Sequence, residues 1–461
     1  MRAVLKPFAV ACALALAGCA VGPDYERPAM DLPEKLAATD APAPVLERWW
    51  SVFAAPALDK LVDEALAANR DLAAAAARVA QARAQSSIAD TDLQPTVAIE
   101  GQRSKDRASE RGAFPLPPDA IETHTHRAQL RVSWELDFWG KYRRASEAAR
   151  AELLAAEAGR DAVRATLVAE VARAHYALAA LDANLDIARR TLEGRRVALD
   201  LLRQRLAVGV ASELEIRQYE AEFRSVEALV AQLSRERTAA EGTLAVLLGR
   251  SPRAVYESAI APVTVEAMDA AEVPAGLPSD LLLRRPDLRE AEARLMAANA
   301  RIGVARAAYY PSISLTGLLG SESRSLSDLF SGPARTFSLA AGLLQPVYGA
   351  GLIGANVDLA DARTKEAAAR YEKAVAQAFK DVRDALAAQS MRREELAARQ
   401  ARVRALARAA ELARARYEGG ITGMIEWLDA SEKLLAARTE AVNAERDRRG
   451  AIVDLYLALG A

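Results

Sequence analysis

The sequence predicts a mainly α-helical chain carrying a transmembrane β-sheet and built from two copies of one unit. Three observations lead there. The 461 residues are 51% hydrophobic and 27% charged but only 5% aromatic, a composition of long helices and coiled coils and not of an aromatic-rich globular core. Four short stretches alternate apolar and polar residues, the period of a strand with one dry and one wet face. The chain also matches itself over a span of roughly 200 residues, too long for a solenoid repeat. Lys and Arg number 61 against 62 Asp and Glu, a net charge of -1, which argues against a general nucleic-acid binder.

Residues 1–18 read as a signal peptide. Arg2 and Lys6 charge its start, Pro7 to Ala17 form an apolar core too short to span a bilayer, and Leu16-Ala17-Gly18-Cys19 follows. The last four residues look like a lipobox, in which cleavage before Cys19 leaves a thiol for diacylglycerol and an amine for an N-acyl lipid. The alternative is a free thiol near a secretory cleavage site. Cys12 leaves with the peptide, so the mature chain has no pair for an internal disulfide. Ala20, where an inner-membrane lipoprotein carries Asp, points to the outer membrane.

Residues 19–69 form an N-terminal segment. The repeats then occupy 70–250 and 279–461, joined by a connector over 251–278 with Pro252, Pro262, Pro274 and Pro278. Arg70-Asp71-Leu72 through Ile99 aligns without a gap on Pro286-Asp287-Leu288 through Leu315, and Arg205 to Val210 aligns on Arg416 to Ile421. Each copy reads as a helix, a strand pair and a long helical hairpin. The first helix of each copy is expected to be N-capped by Asp71 or Asp287, with Glu290 completing a capping box in the second, and to stop before Pro95 or Pro311.

Strands follow at Thr96 to Glu100, Arg127 to Phe138, Ser312 to Thr316 and Thr336 to Leu339. In the second of these, Leu130, Val132, Trp134 and Leu136 would face lipid while Arg131, Ser133 and Glu135 face water. Four strands cannot close a membrane barrel, since the smallest have about eight, so several chains must share one; three would supply twelve strands. From Ser146 to about Val208, and from Asn356 to Tyr417, some 60 residues run without proline, about 90 Å of helix. Val375, Val382, Leu396, Val403 and Ala410 keep a seven-residue spacing, with Phe379 and Leu386 between, as in a coiled-coil seam. Each long helix ends at glycine, and a partner of roughly 40 residues runs back.

Cys19 to Pro28, Gly276 to Leu288 followed by Glu292-Ala293-Arg294, and Tyr310 to Gly317 resemble signature stretches of the TolC-like outer membrane factors, specifically the NodT-type efflux lipoproteins. The resemblance covers essentially the whole mature chain. It implies a homotrimer with a twelve-stranded barrel continuing into a twelve-helix periplasmic coiled-coil tunnel, belted by the N-terminal, connector and C-terminal segments, in which Trp49 and Trp50 would pack. It implies an exit duct for small molecules, partnered by a periplasmic adaptor and an inner-membrane pump of the RND type, with no chemistry on the cargo. The turns Val208-Gly209-Val210-Ala211-Ser212 and Gly420-Ile421-Thr422 would be the tips that meet the adaptor. Ile425 and Asp429 would form successive gate rings, with Glu432 on the same helix face. At Glu432 an arginine is expected from close relatives; with Lys433 beside it, this implies a more acidic, cation-attracting constriction.

Other patterns carry less. Gly349-Ala-Gly-Leu-Ile-Gly354 matches a dinucleotide fingerprint, but its strand alternates where a parallel strand would be continuously apolar, so the glycines read as a bend from barrel to tunnel. His124 and His126 share a strand face without a third ligand, so no metal site is expected. Arg392 to Arg416, interspersed with Glu394, Glu395 and Glu411, reads as a solvated helix face. No nucleophile elbow, zinc motif or catalytic carboxylate pair is present, so no enzyme and no cofactor beyond the lipid at Cys19 is expected. The competing class is a lipid-anchored structural or adhesive coiled coil that conducts nothing.

Overall fold

The computed structural model describes residues 20–33, 48–112, 117–257, 260–261 and 284–460. The signal peptide, Cys19 and connector residues 262–278 lie outside the described residues. The main elements are α1 (Pro56–Ala68), α2 (Arg70–Thr91), β1 (Thr96–Arg107), β2 (Glu122–Leu136), α3 (Lys141–Ala207), α4 (Glu213–Leu247), α5 (Pro286–Ala307), β3 (Ser312–Ser323), β4 (Arg335–Leu344), α6 (Ala350–Glu418) and α7 (Met424–Ala458). Helix, strand pair, long helix and shorter return helix thus occur twice. The chain divides into two compact units, one of Met1–Ala29, Arg78–Glu157 and Glu290–Glu372, the other of Met30–Ala77, Ala158–Arg289 and Lys373–Ala461.

The first unit contains the sheet, whose order is β1-β2-β3-β4 with every pair antiparallel. Its register aligns the apolar faces. Val97 lies opposite Val132 and Ile99 opposite Leu130; Leu130, Trp134 and Leu136 lie opposite Leu319, Leu315 and Ile313; Leu319 and Ile313 lie opposite Phe337 and Leu343. The other face carries Glu100 with Arg131 at 2.7 Å and Arg127 with Glu322 at 2.6 Å. From Ala128 to Leu136 the apolar band fits the roughly 9 to 11 residues that a tilted membrane strand needs. Toward the β1–β2 turn the same face becomes charged, with His126 opposite Arg103, His124 opposite Lys105 and Glu122 opposite Arg107. His124 and His126 therefore belong to a polar extension of the strands beyond the apolar band. The strands leave the sheet at Gly140 and Gly349, whose φ values of 78° and 89° are costly for a residue with a Cβ. These glycines are bends, and the antiparallel pairing of β4, the strand before Gly349, rules out the βαβ unit that a dinucleotide loop requires.

The expected helix starts need correcting. Asn69 caps α2, its Oδ1 accepting from the amides of Asp71 and Leu72 at 2.9 Å, because the chain already turns helical at Arg70. In α5, Pro286 takes the first position, which suits its fixed φ and missing N–H. Asp287 then sits one residue inside, accepting from Arg285 at 3.0 and 2.8 Å, while Glu290 pairs with Arg294 and closes no capping box.

The second unit holds the main core. Trp49, Phe53, Leu58 and Val62 bury against Val171, Ala172 and Leu178 of α3, Leu244 of α4, Val382 of α6 and Val453 and Leu455 of α7. Trp49 stacks on Tyr456 with centroids 5.2 Å apart. Each fully buried large side chain contributes about 1.5 to 3 kcal/mol, so the segment before α1 fastens several helices at once. In the expected seam, Val375, Val382 and Ala410 are buried and Phe379 and Leu386 pack beside the core. The arginine-rich stretch of α6 is occupied by ion pairs such as Arg399 with Glu395 and Glu440, both at 2.8 Å.

An imidazole is buried beside this core. His175 is 3% exposed, its Nδ1 has no partner, and its ring lies against Tyr176. Burial, helped by the positive charge of Arg449, pushes its pKa down to about 4 from 6.5. The folded state thus holds the neutral ring, and stability falls as pH drops from 6.5 towards 4, by about 3 kcal/mol per chain in total. His175→Leu should remove that loss: between pH 7 and 4.5 its melting temperature should fall less steeply than wild type, whereas parallel slopes would refute the assignment.

Candidate functional site at the hairpin turns

Both hairpins turn in the same way. After α3, the amide of Gly209 donates to Leu206 O and that of Val210 to Arg205 O, each at 2.9 Å; after α6, Gly420 donates to Tyr417 O at 3.0 Å and Ile421 to Arg416 O at 2.9 Å. This pair of bonds, with glycine at φ of 74° or 70°, is a Schellman stop that satisfies the last carbonyls of a helix. Each turn presents apolar side chains to solvent: Val208 and Val210 are 73% and 71% exposed, and Ile421 is 72% exposed. Ala211 is half-buried and Ser212 exposed.

The return helices start differently. Ser212 closes a full capping box with Glu215, giving and receiving bonds at 2.9 and 3.2 Å. At the aligned place in the second hairpin, Gly423 caps α7 with no side-chain bond, and the neighbouring Thr422 hydroxyl is buried without a partner. Glycine is itself an acceptable cap, weaker than serine by about a few tenths of a kcal/mol, so the second return helix starts only slightly less firmly than the first.

Just inside the turns the two hairpins share a small core. Leu199 and Leu202 of α3, Ile216 and Tyr219 of α4 and Met424 of α7 are buried together, flanked by Phe223, Tyr417, Trp427 and Leu428. Trp427 stacks on Tyr417 at 5.5 Å and lies 5.8 Å from Tyr219. Burial raises the phenol pKa values of Tyr219 and Tyr417 above the ordinary value, so both remain neutral. This cluster was not anticipated from the sequence. Its signal was there in Tyr219, Phe223, Tyr417 and Trp427, which gather near the turns of an otherwise aromatic-poor chain.

On α7, Ile425, Asp429 and Glu432 share the exposed face, while Met424 is buried and Trp427 and Leu428 are half-buried. Asp429 pairs with Lys433 one turn on, at 2.7 Å. Its cationic partner is thus on its own helix. Among the described residues no group of three or more His, Cys, Asp or Glu could hold a metal, and no helix is long and apolar enough to cross a membrane.

A two-copy chain with a lipid-compatible antiparallel sheet and paired long hairpins defines the channel components of bacterial export systems. Residues 61–250 and 277–461 match the model of the outer membrane efflux protein family, and the chain belongs to that family. It is 34% identical over 462 residues to the cation efflux system protein CusC of Escherichia coli O6:H1, covering 99% of this chain and 98% of that protein. It is 32% identical over 468 residues to the probable outer membrane lipoprotein SilC of Salmonella typhimurium, covering 99% and 98%. Among solved structures it resembles the CmeC outer membrane channel of Campylobacter jejuni, with a TM-score of 0.90 and 26% identity over 96% of this chain and 95% of that one.

If the aromatic cluster joins the hairpins, Trp427→Ala should loosen both turns, at a cost below the about 3 to 5 kcal/mol of a fully buried aromatic because Trp427 is half-buried. Hydrogen exchange should accelerate in residues 213–223 and 424–432, with Trp427→Phe in between. Unchanged protection in the alanine variant would show that the hairpins are held together elsewhere.

Proposed function

We propose that this outer membrane efflux protein is the exit duct of a three-part export assembly, conducting small solutes passively from an inner-membrane pump of the RND type, through a periplasmic adaptor, to the exterior. The observation that carries this is the sheet: one face apolar over a membrane-spanning length, the other lined by Glu100–Arg131 and Arg127–Glu322 pairs. A sheet in a soluble core also has one apolar face, but there it is covered; here Ile99, Leu319, Phe337 and Leu343 stay exposed, as strands with lipid on one side and water on the other require. A lipid-anchored structural coiled coil would use the hairpins but has no use for that division.

Three copies would supply twelve strands and close the barrel. Acylation of Cys19 with diacylglycerol and an N-acyl chain would anchor each copy in the outer membrane; the lipobox supports this, as does the name of SilC, a probable outer membrane lipoprotein. The turns at Val208 to Ser212 and Gly420 to Thr422 would dock the adaptor, their exposed valines and isoleucine providing apolar contact area. Ile425 would form the narrowest ring of the resting duct and Asp429 the next, with Glu432 beyond. Asp429 is paired with Lys433, so the constriction would be held shut by apolar contact at Ile425 and by the aromatic cluster behind it more than by a lock of opposite charges between hairpins.

Single-channel recording in planar bilayers tests duct and gate together. Ile425→Ala should raise the resting conductance, and Asp429→Asn should lower selectivity for cations over anions. Equal conductance and selectivity in wild type and both variants would remove the gate assignment, and absence of any conductance from all three would remove the duct.

A further inference from the structure

The apolar face of the sheet stops short of the strand turns, and basic side chains take its place. Both strand pairs turn at the end opposite Gly140 and Gly349, from which the long helices leave, so with the helices in the periplasm the turns point outward. The last apolar row on the lipid side is Ile99, Leu130, Leu319 and Phe337. One row further out on the same face stand Gly101, Ala128, Ser321 and Arg335; the next holds Arg103, His126 and Ser323, and the one after it Lys105 and His124. On a tilted strand successive rows of one face differ in height by about 5 Å, so Arg335 and Arg103 stand at headgroup depth. The row that separates them from the apolar side chains is small, and a Cβ on Gly101 would meet nothing within 4 Å, which leaves a shelf between the cations and the hydrocarbon.

The two faces treat charge differently at these rows. On the water side Arg127 is paired with Glu322 at 2.6 Å, and Ser104 donates to Asp106 at 2.9 Å. On the lipid side Arg103 and Arg335, both exposed, form no ion pair among the described residues. Among the described strand residues the one carboxylate on that face is Glu122, in the outermost row, where Lys105 and Arg107 share it at 3.2 and 3.1 Å. We propose that Arg335, Arg103, His126, Lys105 and His124 form a belt on the outside of the barrel that binds the phosphate groups of the anionic glycolipid of the outer leaflet. This rests on the reading that the apolar face of the strands meets lipid. Guanidinium groups take phosphate through two parallel hydrogen bonds, and basic groups next to a membrane are drawn to anionic headgroups. Unpaired cations directly above an apolar band are met by an anion that arrives with the membrane itself, whereas the paired water side needs none. In a barrel closed by further copies, β4 of one would lie beside β1 of the next, so Arg335 of one copy and Arg103 of its neighbour would face the same lipid.

The test uses the full mature protein, taken from outer membranes into detergent, stripped of lipid and titrated with lipid A or with lipid A lacking its phosphates, the bound molecules being counted by native mass spectrometry. The phosphorylated lipid should bind at least about tenfold more tightly, and added salt should weaken it. Arg103→Gln with Arg335→Gln should abolish that preference, Arg103→Lys with Arg335→Lys should keep most of it, and Arg127→Gln on the water side should leave it unchanged. Equal binding of the two lipids by wild type, or an equal loss from the water-side variant, would overturn the belt. Inorganic phosphate that displaced the lipid as completely as further lipid A does would assign the site to free anions and overturn it as well. The heat-resistant oligomer separates this inference from the reading beneath it: wild-type oligomer without a preference removes the belt alone, and a wild type that forms no oligomer in membranes removes the barrel with it.

Discussion

Backbone hydrogen bonding in lipid is the constraint on which the rest of this structure depends. A peptide group facing hydrocarbon has no water to bond, so a membrane sheet must close on itself. Among the described residues, β1 and β4 each pair on one side only. A single chain therefore cannot satisfy its own strands, and the apolar band from Ala128 to Leu136 has a stable place only in a sheet completed by other copies. The same demand explains the charged face: once the strands close around water, Arg131 and Glu100 can pair there without leaving solvent.

The helices follow from how a two-copy chain must return to its own sheet. β2 and β3 are neighbours, although the hairpin of α3 and α4 and the whole of α5 separate them in sequence. Long helices need lateral packing to be stable, which comes from the core around Trp49 and Phe53, a small cluster of Leu185, Ala188 and Leu233, and the one around Tyr219 and Met424. Between them α6 relies on alanine-rich contacts and on ion pairs such as Arg399–Glu440, which are individually weak. The aromatic cluster near the turns joins the two hairpins close to the exposed face bearing Ile425 and Asp429. A gate is better built there than within the main core, because one small cluster can yield without unfolding the bundle.

Much of this could be read in the sequence because it is local and periodic. Alternation at Arg127 to Phe138 revealed a strand and its faces, and uninterrupted runs ending at Gly209 and Gly419 marked the hairpins to within a few residues. What escaped was set by contacts between distant residues or by a choice among similar caps. Asn69 and Asp71 are both good capping residues, and only the position of the first turn decides between them. Ser212 and Glu215 form the capping box that was expected at Asp287. The partner of Asp429 depended on which rotamer Lys433 adopts on the same helix. The packing of Trp427 on Tyr219 leaves no periodic trace. It required the fold to bring separate elements together.

The central claim is that one face of these strands meets lipid and the other meets water. The most direct measurement compares Val132→Arg with Ser133→Arg by the yield of heat-resistant oligomer in outer membranes. These adjacent positions on β2 point to opposite faces, and a charge at the bilayer midplane costs about 2 to 4 kcal/mol on the lipid side but little in the lumen. The account predicts that Val132→Arg loses most of the oligomer while Ser133→Arg retains it. Equal yields, or the reverse order, would contradict it.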